Sequence, residues 1–273
     1  MNIEVKKLNN FFGVEVLGID AANPTAETID DLKEMWLEHK VLVLRNQNLT
    51  PEQHIQFSRC FGDLEIHPFA NNRTDLPELL ILESGGPTGK KRYSATDWHS
   101  DVTYREKPPM GSILRGVVVP EVGGDTCFSN AVEAFKRLDD RTKDKVDGLF
   151  ATHDWFKKNH HVLEKTEYEN TRKKYPFVSH PVIRTHPETS QKAIFTNNFF
   201  TSHINDIDEQ ESKRLLRKLE DAISDASIQI RIRWDQSTLV MWDNRCVQHT
   251  GTDDFIPAHR RMERTTIVGD SPF

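Results

Sequence analysis

The chain has 273 residues, 36% of them hydrophobic and 29% charged, which is enough for one large domain with a sizeable core. Its net charge of −6 offers no basic footprint for nucleic acid or an anionic membrane surface, so neither is expected as a partner. The longest aliphatic runs, Val41–Leu44 and Val117–Val119, are far too short to span a bilayer.

The N-terminal stretch Met1–Lys7 lacks the apolar core of a signal peptide. Three widely spaced cysteines, Cys60, Cys127 and Cys246, read as free thiols in a reducing compartment. A cytoplasmic protein is expected.

No repeat or Gly/Ser linker divides residues 1–273, which read as a single domain. Thr28 to Lys40 is predicted to be a helix with Ile29, Leu32 and Trp36 on one stripe, followed by a strand at Val41–Leu44. Thr50-Pro51-Glu52-Gln53 is a helix start, with Thr as cap, Pro at the first helical position and Gln three residues after the cap. That helix carries Ile55, Phe57 and Phe61 and should stop at Gly62. Ser112–Val119 reads as a strand. The polar stretch Lys157–Lys174, with His160 and His161, fits either a mobile lid or an exposed helix. Val182–Arg184 and Ala193–Thr196 are short strands, and Asp208–Ser224 is a helix burying Leu215, Leu216, Leu219 and Ile223 beneath a solvated charged face. Ile228, Ile230, Ile232 and Trp234 alternate inward along the next strand. Turns at Asp235–Ser237 and Asp243-Asn244 separate the strands Thr238–Trp242 and Cys246–His249, and a final strand runs from about Arg260 to Val268. Short strands with turns between them, covered by helices on one side, point to an α+β protein built on a β-sandwich or jelly roll.

The chemistry-bearing pattern is Trp98-His99-Ser100-Asp101 together with the distant segment Trp242 to His249. Two imidazoles and one carboxylate form the ligand set of a mononuclear non-haem iron(II) site with coordination positions left open. On an extended strand His99 and Asp101 would share a face. His-x-acid alone is weak: 12 His and 42 acidic residues in 273 give about 2 such patterns by chance. A second one, His186-Pro187-Glu188, reads as a surface turn.

Arg260 and Arg264, four residues apart on a strand, would share a face at a separation of about 13 Å, with Glu263 pointing the other way. They could hold two anions bidentately, or form a surface ladder paired with neighbouring acids. Thr126, in Gly123-Gly124-Asp125-Thr126, could donate to a carboxylate but more often such a residue simply caps a turn, and a lone His such as His67 is more often structural than functional.

These segments, with Val41–Arg45, Phe61-Gly62 and Arg260 through Asp270, resemble the taurine dioxygenase/2,4-dichlorophenoxyacetate dioxygenase family of iron(II)- and 2-oxoglutarate-dependent oxygenases over nearly the whole chain. The resemblance implies a double-stranded β-helix (jelly roll) with flanking helices. It also implies iron(II), 2-oxoglutarate and O2 as cofactor and co-substrates, with succinate and CO2 as products. It identifies His99, Asp101 and His249 with the iron ligands, and Arg260 and Thr126 with the groups that hold the distal carboxylate of 2-oxoglutarate. Arg264, His67 and the backbone N–H of Val102 match the pocket for the acidic group of the prime substrate. An acid ligand at Asp101 argues for hydroxylation, because related halogenases lack it. Taurine-type members carry a Tyr and an Asn near the substrate amine where this chain has Ala70 and Ala95. The substrate is therefore expected to be a small organic anion other than taurine: a sulfonate, sulfate ester, phosphonate or carboxylate with a larger or less polar tail, whose hydroxylation could cleave a C–S or C–O bond. A non-catalytic anion-binding jelly roll is the alternative. Family members are often dimers or tetramers, so a homo-oligomer is expected.

Overall fold

The computed structural model describes residues 3–67, 72–86, 96–159 and 165–273. Seven strands form a major sheet in the order Glu4–Lys7, Val14–Leu17, Val41–Leu44, Leu239–Asp243, Gly111–Val118, Arg260–Ile267 and Leu80–Ser84. A smaller sheet pairs Gln229–Ile232, Thr126–Asn130 and Val247–Gly251 antiparallel, with Thr126–Asn130 in the centre. Two further small sheets hold Thr201–Ile204, Phe150–His153 and Val178–Pro181, and Lys192–Ile194 with Ile183–Thr185. This is the expected α+β jelly roll with flanking helices.

The strand Val41–Leu44 explains the layering. All four residues are buried, which is why it reads as a continuous apolar run and not as an alternation. Val41 and Val43 join the core between the sheets with Val240, Trp242, Phe128, Ile230 and Val247. Leu42 and Leu44 turn to the opposite face, against Ile29, Leu32 and Trp36 of the helix Ala26–His39 and Phe57 of the helix Pro51–Arg59. Burying Leu32 or Trp36 there contributes roughly 1.5–3 kcal/mol per side chain.

The helix Pro51–Arg59 starts as its sequence dictates: the Gln53 N–H donates to Thr50 Oγ1 at 3.2 Å, and the Thr50 N–H to Gln53 Oε1 at 2.9 Å. It ends at Cys60, two residues short of the expected Gly62. The helix Glu209–Ile223, capped by Asp208, buries Leu215, Leu219 and Ile223 as expected, with Leu216 only partly covered. Ile228, Ile230, Ile232 and Trp234 all point inward. Within the polar stretch 157–174, Lys165–Lys174 is helical. Arg172 anchors that helix through two hydrogen bonds to Asp154 (2.7 and 3.0 Å) and by lying over Phe156 and Phe177. His160 and His161 lie outside the described residues.

Two expectations are corrected. His186 is not on the surface: it is 2% exposed, because Asp243 needs its ring N–H inside the core, while Pro187 and Glu188 do form an exposed turn. His99 and Asp101 do not share a regular strand either. His99 makes a single β-bridge, and a turn begins at Asp101.

Candidate metal and anion site

The bridge at His99 is made to His249. The two backbones exchange N–H to O=C bonds of 3.1 and 2.8 Å, so the imidazoles stand side by side with ring centroids 4.2 Å apart. Pairing of His249 with Phe128 in the smaller sheet fixes the far side of that strand. The turn after His99 then brings in the Asp101 carboxylate, and the ligating atoms of His99, Asp101 and His249 all lie within 4.8 Å of one another. The three residues are 7%, 4% and 7% exposed, so water competes little for them.

The protonation of these groups suits a divalent cation. His99 Nδ1 sits 2.9 Å from the Asp97 carbonyl, which can only accept, so Nδ1 carries the hydrogen and Nε2 keeps its lone pair. His249 Nε2 faces Asp101 Oδ1 at 3.9 Å, and its Nδ1 is buried without a hydrogen-bond partner. Burial pushes both imidazoles below their usual pKa, the nearby partner imidazole adding to this at His249, so both stay neutral. Burial opposes ionisation of Asp101, but the Arg264 guanidinium outweighs it, aided by the Ser112 hydrogen bond, and holds the carboxyl well below the usual carboxylate range. Two neutral imidazoles and one carboxylate in a buried pocket fit an iron(II)-type ion.

Behind Asp101 stands a polar frame that the sequence did not announce. Ser112 donates to Oδ2 at 2.7 Å, and Asn244 donates to Ser112 Oγ at 3.1 Å. Asn244 is itself oriented by the indole N–H of Trp242, at 2.9 Å. Asn244 lies in the Trp242–His249 segment, and that position is its only signal in the sequence.

Arg264 is 7% exposed and donates from Nη1 to Asp101 Oδ1 at 2.5 Å. It therefore does not belong to a surface ladder. Glu263 points to the other face, as expected, and pairs with Arg115 at 2.5 Å. Near Arg264, burial pushes His67 down to about 4, and the charge of Arg264 acts in the same direction, so this imidazole is neutral at pH 7. Val102 has φ +53°, a costly conformation for a β-branched residue, and is 3% exposed. Aromatic side chains form the next wall, with Phe199 and Phe200 ring centroids 5.4 and 6.5 Å from that of His99 and Tyr104 5.2 Å from Phe200.

Arg260 occupies a separate position at the start of the same strand. Its Nε donates to the Gly124 carbonyl at 3.0 Å, and no carboxylate pairs with it among the described residues. Burial pulls its pKa down to about 10, with only Asp125 opposing, so the guanidinium remains charged and lacks a counter-ion. Gly124 has φ +72°, and a Cβ there would lie 2.9 Å from Arg260 Cδ, so the glycine lets the backbone carbonyl reach the guanidinium. Thr126, two residues on and 4% exposed, accepts the Trp234 indole N–H at 2.9 Å and keeps its own hydrogen free to donate. Ala70 and Ala95 lie outside the described residues.

A jelly roll carrying buried His, Asp and His beside two partly uncompensated guanidiniums is the architecture of a non-haem metal enzyme acting on anions. The chain matches the family model "Taurine catabolism dioxygenase TauD, TfdA family" over residues 4–266 and belongs to that family of alpha-ketoglutarate-dependent dioxygenases. An alpha-ketoglutarate-dependent sulfonate dioxygenase of Saccharomyces cerevisiae is 31% identical over 283 residues, covering 99% of this chain and 68% of that one. An alkylsulfatase of Acinetobacter baylyi is 30% identical, covering 98% of this chain and 86% of the relative. Among solved structures, a taurine dioxygenase from Burkholderia xenovorans superposes with a TM-score of 0.85 at 30% identity, covering 99% of this chain and 90% of that one. The protein AAD-2, solved with Mn(II) and N-oxalylglycine, superposes at 0.84 with 26% identity, covering 100% and 99%.

Proposed function

We propose that this iron(II)- and 2-oxoglutarate-dependent dioxygenase hydroxylates a small monoanionic organic substrate with an apolar tail, such as a sulfonate, sulfate ester or carboxylate. The observation that carries the proposal is the buried Arg264 guanidinium lying against Asp101, which makes the anion pocket continuous with the metal face. His99, Asp101 and His249 would hold the iron. When bound, iron and 2-oxoglutarate supply the oxidant from O2, with succinate and CO2 as co-products.

The side chains divide the remaining work. Arg260 and the Thr126 hydroxyl would take the distal carboxylate of 2-oxoglutarate, an assignment supported by a guanidinium with no other counter-ion. Arg264, the Val102 N–H and neutral His67 would take the substrate head group. A neutral imidazole beside one arginine favours a single negative charge, which places phosphonate dianions below sulfonates. The Phe199 and Phe200 wall favours an apolar tail. One oxygen atom of O2 would enter the C–H bond next to the head group, and the other would leave in succinate. Where that carbon bears sulfonate sulfur or an ester oxygen, the hydroxylated product would collapse to an aldehyde, releasing sulfite or sulfate.

The relatives are named as dioxygenases acting on sulfonates, as an alkylsulfatase and as a sulfate ester dioxygenase, which supports the catalytic reading and not the non-catalytic alternative. Operation as one domain in the cytoplasm, without nucleic-acid or membrane partners, belongs to the same proposal. It is supported by the net charge of −6, by three free cysteines, and by no helix among the described residues being long and apolar enough to cross a membrane. Assembly as a homo-dimer or tetramer rests on the family resemblance. Succinate formation across a panel of alkyl sulfates, sulfonates, carboxylates and phosphonates tests the reading. Turnover of none of them, with no 2-oxoglutarate binding to the anaerobic iron protein, would overturn it.

A further inference from the structure

The proposed head-group pocket has two halves that come from separate pieces of chain. One is the turn after Asp101, which presents the Val102 N–H. The other is the arm Glu65-Ile66-His67. The turn is fixed from behind: the His180 ring N–H is shared between the carbonyls of Thr103 (3.0 Å) and Arg105 (2.8 Å). The Thr103 hydroxyl, fully buried, meets His153 Nδ1 at 2.9 Å and accepts from Asn197 Nδ2 at 3.0 Å. Asn197 Oδ1 in turn accepts the Phe200 N–H at 2.8 Å, so the turn and the aromatic wall form one block.

The arm is tied separately. Its backbone is tied by the Glu65 N–H to the Thr266 carbonyl at 2.8 Å, by a bridge between Leu64 and Ile267, and by Asn72 Nδ2 donating to the His67 carbonyl at 2.7 Å. Ile66 is 55% exposed. Among the described residues, Glu65 Oε2 links the arm to the turn through an ion pair with Arg105 Nη1 at 2.5 Å, the two side chains being 9% and 24% exposed. Arg105 also closes the turn itself, its N–H donating to the Val102 carbonyl at 3.1 Å.

We propose that Arg105 and Glu65 are positioning residues for the substrate anion: their ion pair clasps the His67 arm onto the Val102 turn, so that both halves of the pocket close on the head group beside Arg264. The inference rests on the anion-pocket reading above and adds two residues that neither bind 2-oxoglutarate nor touch the metal ligands. A pair this well covered is geometrically selective, because breaking it leaves a buried charge unmatched and lets the arm drift. A displacement of about 1 Å in a binding group can cost as much as about 100-fold, so a partial loss of about tenfold is the reasonable expectation.

The test uses the anaerobic iron(II)–2-oxoglutarate protein titrated calorimetrically with hexyl sulfate, hexanesulfonate and hexanoate, alongside amide hydrogen exchange of Glu65 and Arg105. R105Q and E65Q should each weaken binding of whichever probe the native protein takes by about tenfold, with 2-oxoglutarate affinity unchanged. The double variant should be no worse than either single one, and R105K should stay near the native value. Exchange at the Glu65 amide should quicken in both single variants and not in R105K. Additive losses in the double variant, or unaltered binding with unaltered exchange, would overturn the clasp. If the native protein takes none of the three probes, the anion reading fails, whereas faster Glu65 exchange in R105Q still reports the clasp. Should either glutamine variant not fold, R105K and E65D carry the comparison, and E65D must then weaken probe binding while R105K does not.

Discussion

Replacing Arg260 with Met isolates the group assigned to the distal carboxylate of 2-oxoglutarate, since Met retains the apolar stem and removes only the guanidinium. Burial takes this guanidinium from its ordinary value down to about 10, a gap corresponding to roughly 3 kcal/mol set against its charged form. The sign matters. For a cation, a lowered value means the charge is held at a cost, and because about 10 still lies above neutral pH the charge is present with that cost unrelieved. A carboxylate arriving opposite Arg260 relieves it and gains charge-assisted hydrogen bonds from the nitrogens that Gly124 leaves available. Arg260→Met should therefore weaken 2-oxoglutarate by about 3 kcal/mol, or about 100-fold in Kd, without loss of folding stability, because no native carboxylate loses a partner. Calorimetric titration of the anaerobic iron(II) protein with 2-oxoglutarate measures this directly. If Arg260→Met bound 2-oxoglutarate within threefold of the native protein while Arg264→Met lost it, the two arginines would have exchanged roles.

Arg264→Ala should instead spare 2-oxoglutarate affinity and raise the substrate concentration needed by about 10- to 100-fold, the range for a lost hydrogen bond to a charged group. Because substrate would no longer be held at the metal face, 2-oxoglutarate consumption should outrun product formation, which parallel assays of succinate and hydroxylated product would reveal. A second expectation concerns His54, fully buried in the helix Pro51–Arg59 and donating to the Ile113 carbonyl at 3.2 Å. Burial, reinforced by Arg115, lowers it to about 3, whereas the unfolded chain takes up the proton near 6.5. Between those values the unfolded state binds more protons, so stability falls as pH drops from 6.5 toward 3, by roughly 5 kcal/mol over the whole window. His54→Gln keeps a donor for Ile113 and should flatten the pH dependence of urea unfolding between pH 6.5 and 4. An unchanged slope in that variant would refute the assignment.

The parts of this fold that were readable share a local cause. Thr50 and Gln53 cap their helix because both hydrogen bonds close within three residues, and Ile230 and Ile232 alternate because a strand has period two. His99 and Asp101 were found through a two-residue spacing, although the backbone that realises it is a bridge followed by a turn. What escaped is long-range polar matching. Ser112 and Asn244 hold Asp101 from 11 and 143 residues away, and Asn197 reaches Thr103 across 94. Each is a small polar side chain whose role depends on which strand the chain lays beside it. Composition and periodicity carry no signal for that. His186 escaped for the same reason: its proline and glutamate neighbours describe the turn, while Asp243, 57 residues on, decides its burial.

The Asp243–His186 pair raises the question of a second metal site, since His186, Asp243 and Cys246 place potential ligand atoms within 4.8 Å of one another, as His99, Asp101 and His249 do. Distance does not separate the two clusters, but electron pairs do. His186 Nδ1 accepts the N–H groups of Glu188 (3.2 Å) and Thr189 (3.1 Å), so its hydrogen sits on Nε2 and is donated to Asp243 at 3.0 Å. No lone pair remains on that ring. Both Asp243 oxygens are filled by Arg245, whose backbone N–H and Nε donate to Oδ1 and whose Nη2 donates to Oδ2, and burial drives the Cys246 thiol up, away from the thiolate a metal would need. At the first cluster His99 Nε2 is free and His249 carries a buried nitrogen with no partner. The chain should therefore bind one iron per molecule. Anaerobic iron titration should show a single site, abolished by His249→Ala and unchanged in stoichiometry by His186→Gln, which should instead lower thermal stability by displacing the donor to Asp243 Oδ2 and the acceptor of the Glu188 and Thr189 N–H groups. Two equivalents in the native protein, falling to one in His186→Gln, would show that saturated hydrogen bonding is not what keeps a metal out.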